Sequence, residues 1–171
     1  MFNKLKVPTI INQHSNQSRW ILKNHASTLK FGESLAQELS SIKVLLLEGP
    51  LGAGKTSLVQ GIGKGLEISE QITSPTFALS HHYLQGTRAL FHLDLYRLEE
   101  PSAANELFLQ EEEMSNQCNG LLVIEWPSRL TISIDNACKI FIMYLANEGR
   151  EIQIMSSSNE AKSFSTSEEL G

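Results

Sequence analysis

The chain has 171 residues, 41% hydrophobic and 19% charged, with a formal net charge of −5. That is the make-up of one globular domain with a sizeable core and little room for a second catalytic unit. The acidic balance sets no global pull toward RNA or DNA, no apolar run approaches the about 18 residues of a membrane span, and the separate Cys118 and Cys138 match neither zinc spacing nor a disulfide scaffold.

Residues 1–18 are polar and irregular, with no secretory hydrophobic core, and read as a flexible extension of a cytosolic protein. An ordered domain is expected over 19–155 and a disordered, serine- and glutamate-rich tail over 156–171. "RWILKNHAS" predicts a short strand. "STLKFGESLAQELSS" predicts an amphipathic helix with Leu29, Leu35, Ala36 and Leu39 at helical spacing and Ser27 or Thr28 as cap. "KVLLLEG" is apolar enough to be a strand buried on both faces, and a helix from about Lys55 to Leu66 follows it.

"SPTFALSHHYLQGTRALFHLDLYRL" predicts a β-hairpin turning at Gln85-Gly86-Thr87. Its second strand points Phe91, Leu93 and Leu95 one way and His92, Asp94 and Tyr96 the other. "PSAANELFLQEEEM" starts a helix with Pro101 in the first turn. "GLLVIEW" predicts another buried strand, and "ACKIFIMYLANEGREIQIMS" a second hairpin turning around Glu148-Gly149. The order implies a three-layer α/β fold of the P-loop NTPase type with a mixed parallel and antiparallel sheet. Its parallel strands should include Val44–Glu48 and Leu121–Glu125, with ligand outside their carboxyl ends.

The chemistry concentrates in "LLLEGPLGAGKTSLVQG", where Gly49-x-x-x-x-Gly54-Lys55-Thr56 joins a strand to a helix. Glycines let backbone N–H groups wrap a phosphate, and the helix adds its positive dipole end. The phosphate-binding set read from this loop is Gly49, Leu51, Gly52, Ala53, Gly54, Lys55, Thr56 and Ser57. Lys55 reaches the outer phosphates, and the Thr56 hydroxyl serves Mg²⁺. A glycine-rich turn without a ligand would not need Lys-Thr at its exit.

Such a loop requires a carboxylate near the metal. Glu125 ends "LLVIE" and Asp94 ends "LFHLD", both acids at the ends of apolar strands. Mg²⁺ prefers oxygen donors and keeps several waters, which suits Thr56 with one carboxylate. "ITSPTF" offers Thr73, Ser74 and Thr76 as hydroxyls of a switch-like loop, or forms a plain turn into a strand. His81 and His82 are adjacent and face opposite sides of a strand, so they do not share a metal. His92 lies on the face of Asp94, where it either bonds that acid or serves the core. Trp126 either walls the site or packs in the core.

The succession GAGKT, "SPTFAL", "LFHLDLYRL" and "IEWPSRL" resembles the bacterial TsaE (YjeE) ATPases, over roughly Ser27 to Arg129. The resemblance implies an ATPase needed for threonylcarbamoylation of adenosine-37 in tRNA. ATP binds at Gly52 through Thr56, Mg²⁺ at Thr56 and Glu125, and Asp94 is a catalytic or metal-associated acid with Thr76 in the switch-like loop. It further implies partnership with TsaD and TsaB, the transferase pair, and contact with tRNA only through them. Two departures bear on docking and fine geometry: Phe108-Leu109 where the family has Gly-Leu, and Ser128 where it has an acid.

A small-molecule kinase is the competing reading. Kinases of this size generally cover the transferring phosphate with an arginine-rich lid, and Arg97 is the only arginine between the two strand acids. A guanine-nucleotide switch would need an Asn-Lys-x-Asp tetrapeptide, which the chain lacks.

Overall fold

The computed structural model describes residues 17–145 and 149–156. The expectations for the extension before residue 17, for Glu148 in the second hairpin, and for the tail beyond 156 lie outside the described residues. Along the chain run β1 (Gln17–Leu22), α1 (His25–Glu38), β2 (Val44–Glu48), α2 (Lys55–Gly65), β3 (Ser80–Tyr83), β4 (Leu90–Asp94), α3 (Pro101–Gln117), β5 (Leu121–Glu125), β6 (Ala137–Tyr144) and β7 (Arg150–Ser156). β1 therefore begins inside the stretch expected to be loose. It is held there by antiparallel pairing with β7 from Gln17↔Met155 to Leu22↔Arg150.

The strands form one sheet in the order β1-β7-β6-β2-β5-β4-β3. β2 is parallel to both β5 and β6, and β5 is parallel to β4. The β3–β4 and β6–β7 hairpins make the flanks antiparallel. The mixed sheet and the two expected parallel strands are present. β6 and β4 extend the parallel centre to four strands.

Two cores flank the sheet. Leu35, Ala36 and Leu39 of the α1 region pack with Leu58, Val59 and Ile62 of α2 over Leu45, Leu47 and Val123. Ala104 and Phe108 of α3 pack on the opposite side with Phe91, Leu93, Leu95, Leu122 and Ile124. The predicted alternation in β4 is thus real, although the strand is buried on both faces. Phe108, one of the two departures from the family pattern, is 2% exposed and anchors α3 to the sheet.

α1 starts earlier than the sequence reading placed it. Asn24 is the cap: its side chain accepts from Ser27 N, while the Ser27 hydroxyl closes a capping box on Asn24. Ser27, read as the cap, is instead the third helical residue. α1 and α2 cross closely at Gly32 and Gly61. A Cβ on Gly32 would lie 2.5 Å from the Leu58 carbonyl oxygen, so side chains there would force the helices apart.

At the amino ends of the parallel strands the Arg88 guanidinium donates to the carbonyls of Leu39 (2.8 Å), Ile42 (2.8 Å), Asn119 (3.0 Å) and Gly120 (2.7 Å). Burial lowers its pKa from the ordinary value. This staple holds one end of the sheet. The opposite end, where β2, β4 and β5 finish, carries the functional candidates.

Candidate functional site

β2 ends at Glu48 and α2 begins at Lys55, so Gly49 to Gly54 form the connecting loop. Gly49 has φ 148°, and a Cβ there would strike the Ile142 carbonyl oxygen of β6. Gly54 caps α2 in the left-handed region at φ 104° with no side-chain hydrogen bond. The amides of the first turn are therefore left for an anion.

Four carbonyls of the loop take side-chain donors. Lys55 Nζ donates to Gly49 O at 2.8 Å and Pro50 O at 3.0 Å. Tyr144 OH donates to Leu51 O at 2.6 Å, and Arg150 Nε to Ala53 O at 2.8 Å. Arg150 also lies over the Tyr144 ring, 4.9 Å from its centroid. The β6–β7 hairpin thus holds the loop from outside. Sequence reading missed Tyr144 and Arg150, because no local pattern marks a contact across more than 90 residues.

Thr56 Oγ1 donates to Glu125 Oε1 at 2.8 Å. Glu125 is 3% exposed and pairs in register with Asp94 across β5 and β4. Asp94, also 3% exposed, accepts from Ser74 Oγ at 3.2 Å, from the Thr76 hydroxyl, and from Tyr96 N at 3.1 Å. The segment carrying Ser74 and Thr76 is fastened at both ends. Gln60 Nε2 donates to Ile72 O, Thr73 N donates to Tyr83 OH, and Asp94 N donates to Leu79 O.

Lys55 is 4% exposed, with its Nζ 4.0 Å from the centre of the Trp126 ring. Burial lowers its pKa below 10.5, while the charges of Glu125, Asp94 and Glu48 pull the other way. Trp126 occupies the left-handed region at φ 62° and packs on Tyr96 at 4.9 Å between centroids. It walls the site, which was one of its two sequence readings.

These groups surround a cleft of about 260 Å³ lined by Leu51, Gly52, Gly54, Lys55, Thr56, Ser57, Ser74, Thr76, Asp94, Tyr96, Glu125 and Trp126. Of the sequence-selected set, Gly49 and Ala53 do not line it. Ala53 is 0% exposed in the core, so only its backbone serves the loop. Ser57 is reached by His25, whose Nε2 lies 3.0 Å from the hydroxyl.

The histidines separate as their strand positions require. His82 Nε2 lies 2.6 Å from Glu111 on the α3 side, and His81 lies near Thr73 and Tyr83. His92 bonds Glu125 rather than Asp94. Neither Arg97 nor Arg129 lines the cleft: Arg97 stacks on Phe77 at 4.2 Å, and Arg129 donates to Tyr96 O at 3.1 Å.

The arrangement offers uncapped amides, a lysine, a hydroxyl and two acids around one cleft. Hard oxygen donors at Thr56 and Glu125 fit a small divalent cation that also takes phosphate oxygens. Among the described residues no group of three or more His, Cys, Asp or Glu is placed to hold a metal by itself. A cation here would complete its shell with water or with oxygens from a ligand.

Residues 22–152 match the family model for "Threonylcarbamoyl adenosine biosynthesis protein TsaE". The tRNA threonylcarbamoyladenosine biosynthesis protein TsaE of a Nostoc species is 40% identical over 136 residues, covering 78% of this chain and 82% of the relative. Its Synechocystis counterpart is 42% identical over 120 residues, covering 68% and 74%. That of Bacillus subtilis is 33% identical over 137 residues, covering 80% and 84%. The crystal structure of YdiB from Bacillus subtilis superimposes with a TM-score of 0.65 at 26% identity, covering 85% of this chain and 89% of the other.

Proposed function

We propose, given that this chain belongs to the TsaE family, that it is a Mg²⁺-dependent ATPase serving threonylcarbamoylation of adenosine in tRNA, together with TsaD and TsaB. The observation that carries the reading is the 2.8 Å bond between Thr56 and Glu125 beside the uncapped start of α2. Unpaired helix amides, Lys55 and two oxygen donors come together there.

The α2 amides and Lys55 bind the phosphates of ATP, and side-chain donors take up the loop carbonyls that would otherwise oppose negative charge. Thr56 and Glu125 would hold Mg²⁺, which supplies positive charge to the phosphate oxygens. Asp94, fixed by Ser74, Thr76 and Tyr96 N, orients a water. The water oxygen bonds to the γ-phosphorus, its proton passes to Asp94, and the bond to the β,γ-bridging oxygen breaks with its electron pair leaving on ADP. Trp126 and Tyr96 cover the cleft side and exclude bulk water.

The products are ADP and phosphate, and the resemblance to the TsaE family implies that the threonylcarbamoyl group is attached by the partners. Contact with tRNA comes through the partner proteins, as the resemblance to the TsaE family implies. A cytosolic setting belongs to this proposal. No helix among the described residues is long and apolar enough to cross a membrane, and no disulfide joins them.

The deciding assay measures phosphate release from ATP with Mg²⁺, alone and with TsaB and TsaD added. Release that requires Mg²⁺ and Lys55 supports the proposal. Transfer of the γ-phosphate to a small acceptor, without release, would make the chain a kinase instead.

A further inference from the structure

One oxygen of Glu125 receives two hydrogen bonds. Thr56 Oγ1 lies 2.8 Å from Oε1, and His92 Nε2 lies 2.9 Å from the same atom. His92 sits inside β4, two residues before Asp94, and is 0% exposed. The hydrolysis described above makes no use of it. A histidine that only filled space here would be replaceable by an apolar side chain of similar size.

The bond also defines the ring. A carboxylate accepts and does not donate, so the bond places a proton on Nε2. Nδ1 is buried without a partner among the described residues.

Oε1 is therefore occupied from two sides, while no protein donor among the described residues bonds Oε2. Glu125 lines the cleft. A free glutamate at a strand end has several rotamers, and only some present an oxygen to the cleft.

We propose that His92 is a positioning residue: its Nε2–H holds Glu125 Oε1 so that Oε2 is presented to Mg²⁺ or to a water on it. This rests on the metal reading given under the proposed function. Donors behind a metal-binding carboxylate typically change metal affinity about 10–100-fold when removed.

The test compares wild type, His92→Leu and His92→Gln, using a fluorescent ADP analogue titrated with Mg²⁺. His92→Leu keeps bulk without a donor, whereas the Gln amide restores one near Nε2. His92→Leu is expected to raise the Mg²⁺ concentration needed for tight ADP binding about 10–100-fold. His92→Gln is expected to recover most of that loss, with metal-free ADP affinity unchanged in both. A normal Mg²⁺ requirement in His92→Leu, or a Gln variant as impaired as Leu, overturns the assignment. Wild-type ADP binding indifferent to Mg²⁺ would instead bring down the metal reading and this inference with it. Should His92→Leu fail to fold, the wild-type ring decides through long-range ¹H–¹⁵N spectra. A proton on Nε2 whose signal shifts when Mg²⁺ and ADP are added supports the assignment, and a proton on Nδ1, or an Nε2–H signal unmoved by that addition, refutes it.

Discussion

Asp94 and Glu125 stand side by side in register at the carboxyl ends of adjacent parallel strands, each only 3% exposed. Their partners differ. Glu125 faces Thr56 and His92, whereas Asp94 faces the Ser74 and Thr76 hydroxyls and the Tyr96 amide. Neighbouring carboxylates would repel each other in a dry site, so a cation beside them is electrostatically favoured. Lys55 supplies part of that charge from the start of α2, and both acids raise its proton affinity.

The two acids are expected to fail differently. Glu125→Gln removes the charge beside Thr56 and should raise the Mg²⁺ concentration needed for activity. Asp94→Asn should slow hydrolysis about 10²–10⁴-fold while leaving Mg²⁺·ATP binding nearly intact, because a base acts on the reaction rather than on the bound nucleotide. Phosphate release measured across a Mg²⁺ series separates these outcomes. The reverse pattern would exchange the two roles, and wild-type behaviour from both variants would end the carboxylate scheme.

Lys55→Ala should weaken ATP binding about 10–100-fold, since a charge-assisted contact contributes about 1.5–3 kcal/mol. Circular dichroism should report an intact fold, and unchanged affinity by calorimetry would refute the phosphate cradle. Burial holds the Lys55 pKa below 10.5, which also sets a pH dependence. The folded chain releases this proton before the unfolded chain does. Stability from this group therefore rises as pH climbs from the depressed value toward 10.5. ATP binding weakens across the same window and takes up a proton. Calorimetry in buffers of different ionisation enthalpy measures that uptake.

The local parts of the fold were legible in the sequence, and the long-range parts were not. "KVLLLEG" and "LLVIE" announced their burial by being apolar throughout, and the spacing of Gly49, Gly54, Lys55 and Thr56 announced the strand-to-helix turn. The parallel seat of β6 beside β2 and the closure of β1 on β7 depend on partners far away in the chain. The same limit hid Tyr144 and Arg150. His92 was read on the face of Asp94, either bonding that acid or serving the core; it is buried, and its bond goes to Glu125. Alternation along a strand says which side a ring points to, not which neighbouring strand offers it an oxygen. The helix start at Asn24 was legible in principle as Asn-x-x-Ser, but Ser27 and Thr28 nearer the apolar stripe drew the assignment inward.

Tyr144→Phe tests the outer hold on the phosphate loop. It deletes the donor to Leu51 O and keeps the ring under Arg150. A neutral hydrogen bond contributes about 0.5–1.5 kcal/mol, so ATP affinity should fall by at most about tenfold. Wild-type affinity and an unchanged hydrogen-exchange rate in residues 49–54 would show that the hydroxyl does not organise the loop.

Arg88→Met should do the opposite, destabilising the chain without touching the site. The staple lies at the amino ends of the parallel strands and satisfies carbonyls of Leu39, Ile42, Asn119 and Gly120. Leaving buried acceptors without donors costs about 1–3 kcal/mol. For a chain of this size that lowers the thermal midpoint by about 2–4 °C for each kcal/mol. ATP affinity below the transition should match wild type. A large loss of affinity in the folded variant would mean that the two ends of the sheet are coupled.

The isolated protein should hydrolyse ATP slowly and be accelerated by TsaB and TsaD. Phosphoryl transfer depends on positive charge around the γ-phosphate, and an arginine supplied from outside can raise the rate about 10³–10⁵-fold. Among the described residues lining the cleft, Lys55 is the only basic side chain. Arg97 is stacked on Phe77 and Arg129 is bonded to the Tyr96 carbonyl, so neither stands at the phosphates. Phe77 is 85% exposed next to Thr76, which bonds Asp94. A partner that covers Phe77 would press on the segment holding Asp94 and disturb the Arg97 stack. Docking can thus complete the site by bringing an arginine or by releasing Arg97. Steady-state phosphate release by the chain alone and with the pair measures the acceleration, and Arg97→Ala tells the two routes apart. Loss of stimulation in Arg97→Ala points to release of the internal arginine, whereas retained stimulation points to one from the partner. A rate near an ordinary enzyme's about 10 s⁻¹ for the chain alone, unchanged by the pair, would mean that the site is already complete.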